Sequence, residues 1–154
     1  MCAMRRNDRE ITDVAVMNSI VAEAEFCRVA MCDGNQPYVV PLCFGFEDGL
    51  VYVHSAPAGR KLEILRSNSA VHVEFTGRCR FVEDPVACKW RLEYRCVMAR
   101  GRAAALETRD EKRRALGIIM SHYSHGTFAM LDREIDAVAV LKITLDTMTC
   151  KISA

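Results

Sequence analysis

The segment with the clearest capacity for chemistry joins the end of a strand-like run to two adjacent cations. The run Val51 to Ser55 ends in a hydroxyl residue, residues 56–59 (Ala-Pro-Ala-Gly) follow, and then come Arg60 and Lys61. Pro and Gly in the connection predict a turn, and the residues after it predict a short helix. A helix N-terminus offers free backbone N–H groups and the positive end of the helix dipole, so this segment could bind an anion.

The side chains of the same segment suit an anion as well. Ser55 can donate from its hydroxyl, Arg60 presents a planar fork of N–H donors, and Lys61 adds a compact positive charge. Charge-assisted hydrogen bonds contribute roughly 1.5–3 kcal/mol each, so two or three of them decide the affinity for a phosphate. The spacing alone also fits a solvated helix end that carries two surface cations.

The elements that position this segment can be predicted from hydrophobic periodicity. Residues 13–24 predict a helix, since Val16, Ile20 and Val21 fall on one face. The first half then predicts three strands separated by turns at residues 33–35 and 47–49: residues 26–31, residues 38–46 and residues 50–55. The run 38–46 is so apolar that it predicts a strand buried on both faces. The first half is therefore expected to be a meander of hairpins.

The second half continues the same pattern after the short helix at residues 61–66. Residues 71–75 alternate as a strand, residues 77–92 are less regular, and a long strand over residues 94–106 carries Gly101 as a candidate bulge. A helix over residues 110–122, a loop over 124–134 and a closing strand over 138–145 complete the chain. This order predicts a mainly β fold, a closed antiparallel β-barrel with peripheral helices, forming one domain over residues 1–154.

Four blocks of the chain are modest signals alone and fairly specific in order. They are residues 27–31, residues 37–45, residues 51–55 with Gly59-Arg60-Lys61, and Tyr94-Arg95-Cys96-Val97 through Gly101-Arg102. Together they resemble the nitroimidazole-resistance (Nim) branch of the pyridoxamine 5′-phosphate oxidase-like proteins. The resemblance covers residues 25 to 105, with a helix and a closing strand in the expected places at the two ends.

The resemblance implies a split β-barrel homodimer that binds FMN in a groove between the subunits. It places Val39, Val40, Pro41 and Leu42 along the flavin ring, and it assigns Ser55, Arg60 and Lys61 to the phosphate. One residue departs from the branch, which usually has a serine where this chain has Cys96. A thiol is a weak hydrogen-bond donor, so the contact of Cys96 with the cofactor is either weakened or not essential.

The resemblance also places His54 near the flavin and the substrate. In an alternating strand, Tyr52 and His54 point to one side while Val53 and Ser55 point to the other. If Ser55 faces the phosphate, His54 faces the open side of the ring or the partner subunit. An imidazole there can donate a proton to a substrate near neutral pH, so His54 is the predicted catalytic residue and a cofactor contact. The alternative is a packed histidine that hydrogen-bonds to backbone.

These residues favour an FMN-dependent oxidoreductase that reduces a small substrate, for which a nitroaromatic compound is one candidate. The alternative is a flavin- or haem-binding carrier with little turnover, in which His54 or His72 could be an axial ligand. A third reading is a metal-binding protein that uses His122 and His125. The one-turn spacing of those two histidines lacks a nearby acidic or thiolate partner, so a polar pair at a helix end is the preferred interpretation.

Composition excludes several broader classes of function. The chain has 21 Lys and Arg against 20 Asp and Glu, a net charge of +1, which gives no reason to expect broad binding to nucleic acid or anionic membranes. The local charge runs at residues 4–6 and 111–114 are interpreted as solvated faces. No apolar run approaches the ~18 residues that span a bilayer, and the N-terminus lacks the pattern of a secretory signal. We therefore expect a cytoplasmic protein.

Eight cysteines are many for 154 residues, yet they form no Cys-x-x-Cys pair and fit no zinc spacing. Several lie inside apolar runs, where a thiol behaves as a small hydrophobic group. We therefore expect no metal site and no native disulfide, as in a reducing cytosol. Catalysis by Cys96 with His54 has no supporting signature, and a structural thiol is preferred. Trp90 could cover a flavin, cover a subunit seam, or pack in the core.

Overall fold

The computed structural model describes residues 9–153, and within that range the chain forms eight strands and four helices. The strands are β1 (Glu10–Ile11), β2 (Cys27–Asp33), β3 (Gln36–Leu42), β4 (Phe44–Glu47), β5 (Leu50–Ser55), β6 (Ala70–Val82), β7 (Arg91–Ala105) and β8 (Ala139–Ser153). The helices are α1 (Val14–Glu23), α2 (Arg60–Ser67), α3 (Arg109–Tyr123) and α4 (Asp132–Asp136), and a 3₁₀ turn spans Ala87–Lys89. The charge run at residues 4–6 and Cys2 lie outside the described residues.

All the strands join one antiparallel sheet in the order β3-β2-β6-β7-β8-β5-β4, and the short β1 pairs with β8. The two outermost strands, β3 and β4, are consecutive in the chain and are separated only by Cys43. The sheet therefore curls until its two edges meet at that residue. This architecture confirms the predicted mainly β fold, a split β-barrel with peripheral helices.

The core lies inside the barrel because alternate residues of each strand point inward. The rings of Phe44 on β4 and Phe75 on β6 are 5.0 Å apart, although these strands are not neighbours in the sheet. Helix α1 adds Met17, Ile20 and Val21 to the same cluster, and Asp13 caps its N-terminus by accepting from the N–H groups of Ala15 and Val16. The helix predicted over residues 13–24 is thus confirmed, and its apolar face packs on the barrel core.

Helix α3 packs against the outside of β4 and β5. A Cβ atom at Gly45 would lie 2.6 Å from the backbone of Ile118 and Ile119, so only glycine allows this close approach. Tyr52 on β5 joins Ala115 and Ile119 in a second apolar cluster. The two faces of β5 therefore belong to different environments, the barrel core on one side and the α3 cluster on the other.

The expectation of a single strand over residues 38–46, buried on both faces, is wrong. The chain breaks at Cys43 to pass from one edge of the sheet to the other, and β3 shows an alternating pattern in which Val39 is 53% exposed. Val40 and Leu42 face the core cluster, whereas Val39 and Pro41 face outward. This alternating burial is typical of an edge strand that packs on the core with only one face. The apolar composition of residues 38–46 did not show that the other face is exposed.

Three further boundaries differ from the predictions. Residues 77–92 are only partly irregular: β6 continues to Val82 and β7 begins at Arg91, with a register shift between Thr76 and Cys79, while residues 83–90 form a connection that contains the 3₁₀ turn. Strand β8 continues past residue 145 to Ser153, and α4 occupies the end of the predicted loop. The long strand with a bulge at Gly101 is confirmed, since β7 and β8 change register between Arg100 and Gly101.

Candidate functional site

The predicted anion-binding segment forms the turn between β5 and α2. Strand β5 ends at Ser55, and α2 begins at Arg60. Gly59 adopts φ +127°, a conformation that L side chains rarely adopt, and this directs the chain into the helix. The Ser55 hydroxyl donates to the carbonyl oxygen of Ala56 over 3.0 Å, so it is oriented along the turn. Local sequence signals predicted this geometry.

The N-terminus of α2 is not capped by a side chain. Gly59 occupies the N-cap position and has no side-chain acceptor for the first N–H groups of the helix. The Gly59 carbonyl accepts from the N–H groups of Leu62 and Glu63, at 3.0 and 3.3 Å. The backbone N–H groups that precede Leu62 therefore remain available for a ligand.

Arg60 reaches from α2 to the hairpin formed by β2 and β3. Its guanidinium lies 3.5 Å from a carboxylate oxygen of Asp33, and its Cζ atom is 4.9 Å from the centroid of the Tyr38 ring. Both charged side chains of the Arg60–Asp33 pair are more than half exposed, so this ion pair is weak. The contact nevertheless brings the N-terminus of α2 beside β3, the strand predicted to lie along the flavin.

Lys61 is half-buried, and burial alone lowers the pKa of its ammonium group. Within residues 9–153, Lys61 forms no ion pair and no hydrogen bond. A partly desolvated cation without a counter-charge is energetically unfavourable. An anion at the N-terminus of α2 would remove this cost, and the same anion would be within the reach of Arg60.

The four residues predicted to line the flavin ring divide between the two faces of β3. Val39 and Pro41 present their side chains on the outer face, while Val40 and Leu42 pack toward the core. Because β3 ends the strand order, its second edge has no hydrogen-bonded neighbour in the described part of the chain. The free edge and the exposed side chains of Val39 and Pro41 are therefore the parts of β3 that a ligand could contact, while the side chains of Val40 and Leu42 are half-buried.

His54 and Ser55 lie on opposite faces of β5, as alternation predicts. Val51 and Val53 belong to the barrel core, and Leu50 and Tyr52 belong to the cluster under α3. Alternation puts His54 on the α3 side, where it is half-buried and paired in register with Val140 on β8. The structure thus separates His54 from the phosphate side of the turn by the thickness of the strand.

Cys96 lies in a different part of the barrel. It pairs in register with Thr76, and its thiol is 3.4 Å from a carboxylate oxygen of Glu74. Burial, then the nearby charge and hydrogen bond of Glu74, raise the pKa of Cys96 to about 12, so the thiol is protonated at neutral pH. Arg102, which pairs with Ala70 just after α2, is about 20 Å further along β7 at ~3.3 Å per residue. One chain alone does not bring Cys96 to α2.

Sequence reasoning missed the partners that orient these residues. Tyr38 and Asp33 hold Arg60, and Glu74 accepts hydrogen bonds from Cys96 and Thr76 while it pairs with Arg28 at 2.8 Å. Tyr38 lies on the core-facing side of β3 with Val40 and Leu42, and its contact with Arg60 could have been predicted only if the position of α2 relative to β3 were known. No signal in the sequence pointed to Glu74.

The other histidines and the tryptophan take ordinary positions. Nε2 of His122 is 2.8 Å from the carbonyl oxygen of Ala24, and its ring lies 4.3 Å from Phe44, which confirms a helix-end polar residue. Among residues 9–153, no group of three His, Cys, Asp or Glu side chains could hold a metal ion. The Trp90 indole is 52% exposed and donates to the carbonyl oxygen of Asp84, so the core-packing interpretation is wrong.

The cysteines of the described residues are all free thiols, at positions 27, 32, 43, 79, 88, 96 and 150. Cys27 and Cys150 are buried, and burial raises the pKa of both, to about 12 for Cys27. In the described part of the chain, no helix is long and apolar enough to cross a membrane.

Comparison with known proteins places this arrangement in context. The family model described as pyridoxamine 5′-phosphate oxidase matches residues 13–152. A crystal structure of a protein from Bacteroides thetaiotaomicron, named for 5-nitroimidazole antibiotic resistance, is 36% identical with a TM-score of 0.84, and the match covers 93% of this chain and 86% of that one. A curated but uncharacterised protein of Rhizobium meliloti is 34% identical over 55 residues, so the match spans only 36% of this chain and 36% of that relative.

More distant structures share the fold alone. The flavocytochrome Anf3 of Azotobacter vinelandii has a TM-score of 0.86 at 22% identity, covering 99% of this chain and 72% of that one. An FAD- and haem-binding protein of Mycobacterium smegmatis has a TM-score of 0.84 at 18% identity, covering 94% and 73% of the two chains. At these identities the barrel is common to all three proteins, while the residues of each site must be judged separately.

Proposed function

This chain belongs to the pyridoxamine 5′-phosphate oxidase family, and we propose that it is a flavin-dependent oxidoreductase that binds FMN and reduces a small substrate. The observation that carries the proposal is the N-terminus of α2, where two cations follow an uncapped turn. A helix end of that kind is unfavourable by itself and becomes favourable when a phosphate occupies it.

The residues of the turn fit the phosphate of FMN. Lys61 is half-buried without a counter-charge, and a phosphate would supply one. Arg60 is held only by an exposed carboxylate at 3.5 Å, so its guanidinium can turn to the ligand at little cost. The Ser55 hydroxyl lies at the same turn and can donate to a third phosphate oxygen after leaving the carbonyl of Ala56.

The edge and outer face of β3 fit an aromatic ring system. Val39 and Pro41 form an exposed apolar surface, and the outer edge of β3 has no hydrogen-bonded strand beside it within the described residues. A flavin combines a flat apolar face with hydrogen-bonding edges, so both features would be used. Because Arg60 lies over Tyr38 on the same strand, the phosphate and ring positions are connected.

His54 is the residue that we assign to proton transfer. When bound, FMN supplies the electrons for the reduction. His54 lies on the opposite face of β5 from Ser55, so it can reach a substrate without contacting the phosphate. Its role is to donate a proton to a small acceptor, of which a nitroaromatic compound is our candidate.

We also propose that the active form is a homodimer with the cofactor between the subunits. Apolar side chains remain exposed on the outer face and on the extended β6–β7 hairpin, including Val39 at 53%, Phe81 at 73% and Leu92 at 40% exposure. Cys96 points to the same outer face as Val39 but lies far from α2 of its own chain. In a dimer, Cys96 would approach the cofactor of the partner. Light scattering at micromolar concentration should give about twice 17.3 kDa.

A carrier of flavin or haem with little turnover is the second candidate. It is favoured by His72, which is exposed on the outer face of β6 and could act as an axial ligand. A haem carrier differs from either flavin protein in its absorbance spectrum, because flavin gives two near-visible bands and haem gives a sharp Soret band. The oxidoreductase and a carrier also differ in turnover with an electron acceptor.

The decisive experiment begins with that spectrum and continues with cofactor removal and rebinding. We expect yellow protein that rebinds FMN with a simple saturation curve, binds riboflavin far more weakly, and, after chemical reduction of the flavin with dithionite, transfers electrons to a nitroaromatic acceptor. A colourless preparation that binds neither FMN nor riboflavin would refute the proposal. A monomer that binds flavin would refute the shared groove but retain the phosphate site.

A further inference from the structure

A cavity of about 410 Å³ opens on the outer face of β2, β6 and β7, apart from the turn between β5 and α2. Its polar lining consists of Asn68, His72, Arg100, Arg102 and Asp146. None of the residues assigned above to FMN lines this cavity. It is therefore a separate feature whose chemistry the proposed function does not use.

The sheet register explains why the cavity exists and why it is basic. His72 pairs with Arg100 and Ala70 pairs with Arg102, so all four side chains share one face of the β6–β7 ladder. Ala70 and the neighbouring Ala30 are small, and they leave space between the long side chains. The two guanidinium groups and the imidazole consequently surround a concave floor rather than covering it.

The charges in this cavity are not balanced. Within residues 9–153, Arg100, Arg102 and His72 form no ion pair and no hydrogen bond, whereas Arg28 and Arg95 pair with Glu74 and Glu23 at 2.8 and 2.6 Å. Asp146 is the single carboxylate in the lining. Arg100 and Arg102 lie two residues apart on one face of β7, so their guanidinium groups repel each other and an anion between them would offset that repulsion.

We propose that this cavity binds a phosphate or carboxylate group of a ligand that also contacts the flavin site. Val39, Ala30, His72 and Arg100 are paired in register across β3, β2, β6 and β7. Three strand spacings of about 4.8 Å place Arg100 roughly 14 Å from the predicted flavin wall. Two planar guanidinium forks can bind one dianionic group through paired hydrogen bonds.

The anionic group has two sources, and the cavity has the same chemistry for both. It is either a phosphate group or a carboxylate group of the substrate. The assignment of the ligand rests on the proposed function, but anion binding by the cavity does not. The test therefore compares inorganic pyrophosphate with succinate, two probes that report on the cavity alone.

The test variant is the double substitution R100Q/R102Q, and the matched control is R78Q/R133Q, which removes two exposed arginines that do not line the cavity. Calorimetry should detect pyrophosphate binding to the FMN-loaded wild type and the control, weakened at least tenfold in R100Q/R102Q. Glutamine at these exposed positions should leave folding intact, which circular dichroism checks.

The source of the anion follows from the affinities for the two probes. If pyrophosphate binds at least tenfold more tightly than succinate, and R100Q/R102Q loses that binding, the cavity holds a phosphate group. If succinate binds at least as tightly as pyrophosphate and its binding depends on the two arginines, the cavity holds a carboxylate group. The proposal is overturned if the binding of neither probe differs between the two double variants.

Failure of the proposed function is recognised separately. If FMN does not bind the wild type, pyrophosphate binding is measured on Lys61→Ala, in which the α2 turn has lost its buried cation. Binding that persists in Lys61→Ala and disappears when R100Q/R102Q is added supports the cavity without the flavin. Binding that disappears with Lys61→Ala alone places the anion at α2 and overturns the second site.

Discussion

The N-termini of α2 and α3 differ in side-chain capping and in the charge of the first turn. Helix α3 begins with a capping box, in which the Thr108 hydroxyl accepts from the backbone N–H of Glu111 and the Glu111 carboxylate accepts from the backbone N–H of Thr108. Asp110 and Glu111 add negative charge to its first turn. Helix α2 has Gly59 at the cap position and begins with Arg60 and Lys61.

The cations in the first turns of the two helices show the same contrast. Arg109, at the start of α3, pairs with Asp136 at 2.6 Å and with Asp132 at 3.3 Å, and the hydrogen bonds from Arg109 lower the pKa of Asp136. Lys61 has no such partner among residues 9–153, and burial lowers its pKa. Helix α3 therefore satisfies its own dipole and charges, whereas α2 leaves them for a ligand.

A helix N-terminus that lacks a side-chain cap and carries cations departs from the usual stabilising pattern, and such a departure indicates a functional site. Negative groups and side-chain caps stabilise a helix N-terminus by about 0.5–2 kcal/mol, and α3 uses both. A helix that omits the cap and adds cations loses that stability, and proteins keep such losses mainly where a site requires them. Four predictions test whether the N-terminus of α2 serves a ligand while the N-terminus of α3 serves only stability.

The largest effect is expected for Lys61→Ala on the affinity for FMN. Loss of one charge-assisted contact with the phosphate should cost about 2–3 kcal/mol, or roughly 30- to 150-fold in Kd measured by flavin fluorescence. Riboflavin has no phosphate, so its weaker binding should hardly change. Lys112→Ala on α3 is the matched control and should leave FMN affinity unchanged. Equal losses for FMN and riboflavin would show that Lys61 acts on folding.

The second effect concerns His54, which lies on the α3 side of β5 while Ser55 lies at the α2 turn. General acid catalysis contributes about 10²- to 10⁴-fold, so His54→Ala should slow reoxidation of the flavin by a nitroaromatic acceptor at least tenfold. The affinity for FMN should change less than about threefold. His125→Ala serves as the control at an exposed histidine. An unaltered reoxidation rate would remove His54 from the chemistry.

The third effect isolates the structural role of the α3 terminus. Thr108→Ala removes the cap and should lower the free energy of unfolding by about 1 kcal/mol, with FMN affinity unchanged. Hydrogen bonds from Thr108 lower the pKa of Glu111, so this stabilisation is present above the unfolded pKa of the carboxyl and is lost as pH falls through the folded value. Denaturation at pH 7 and in acid should therefore show a mutational effect that shrinks in acid.

The smallest effect is a change in the titration of Lys61 itself. Burial lowers its pKa, so Lys61 destabilises the cofactor-free protein below the folded pKa, and the cost disappears as pH rises through that value. FMN should raise the pKa again, because the phosphate favours the charged amine. The pH dependence of lysine acylation, followed by mass spectrometry with Lys89 as control, measures this shift. Identical titration with and without FMN would place the phosphate elsewhere.

Much of this contrast was predictable because it depends on short stretches of chain. The Pro-Ala-Gly turn, the cations after it and the hydroxyl before it are adjacent residues, so the turn between β5 and α2 was predicted as the structure shows it, and anion binding there stays a prediction. Helix α1 and the bulge at Gly101 were also predicted from local signals. The prediction for residues 38–46 failed, because apolar composition does not show that the chain changes sheet edge at Cys43.

The sequence by itself therefore determined the barrel class, the starts of α1, α2 and α3 to within one residue, and the turn between β5 and α2, since periodicity and turn residues act over a few positions. Only the tertiary structure decided that Arg60 lies over Tyr38, that Cys96 bonds to Glu74, and that Arg100 shares a face with His72. These neighbours are set by strand register between distant segments. Register depends on how the whole barrel closes, so no local pattern contains it.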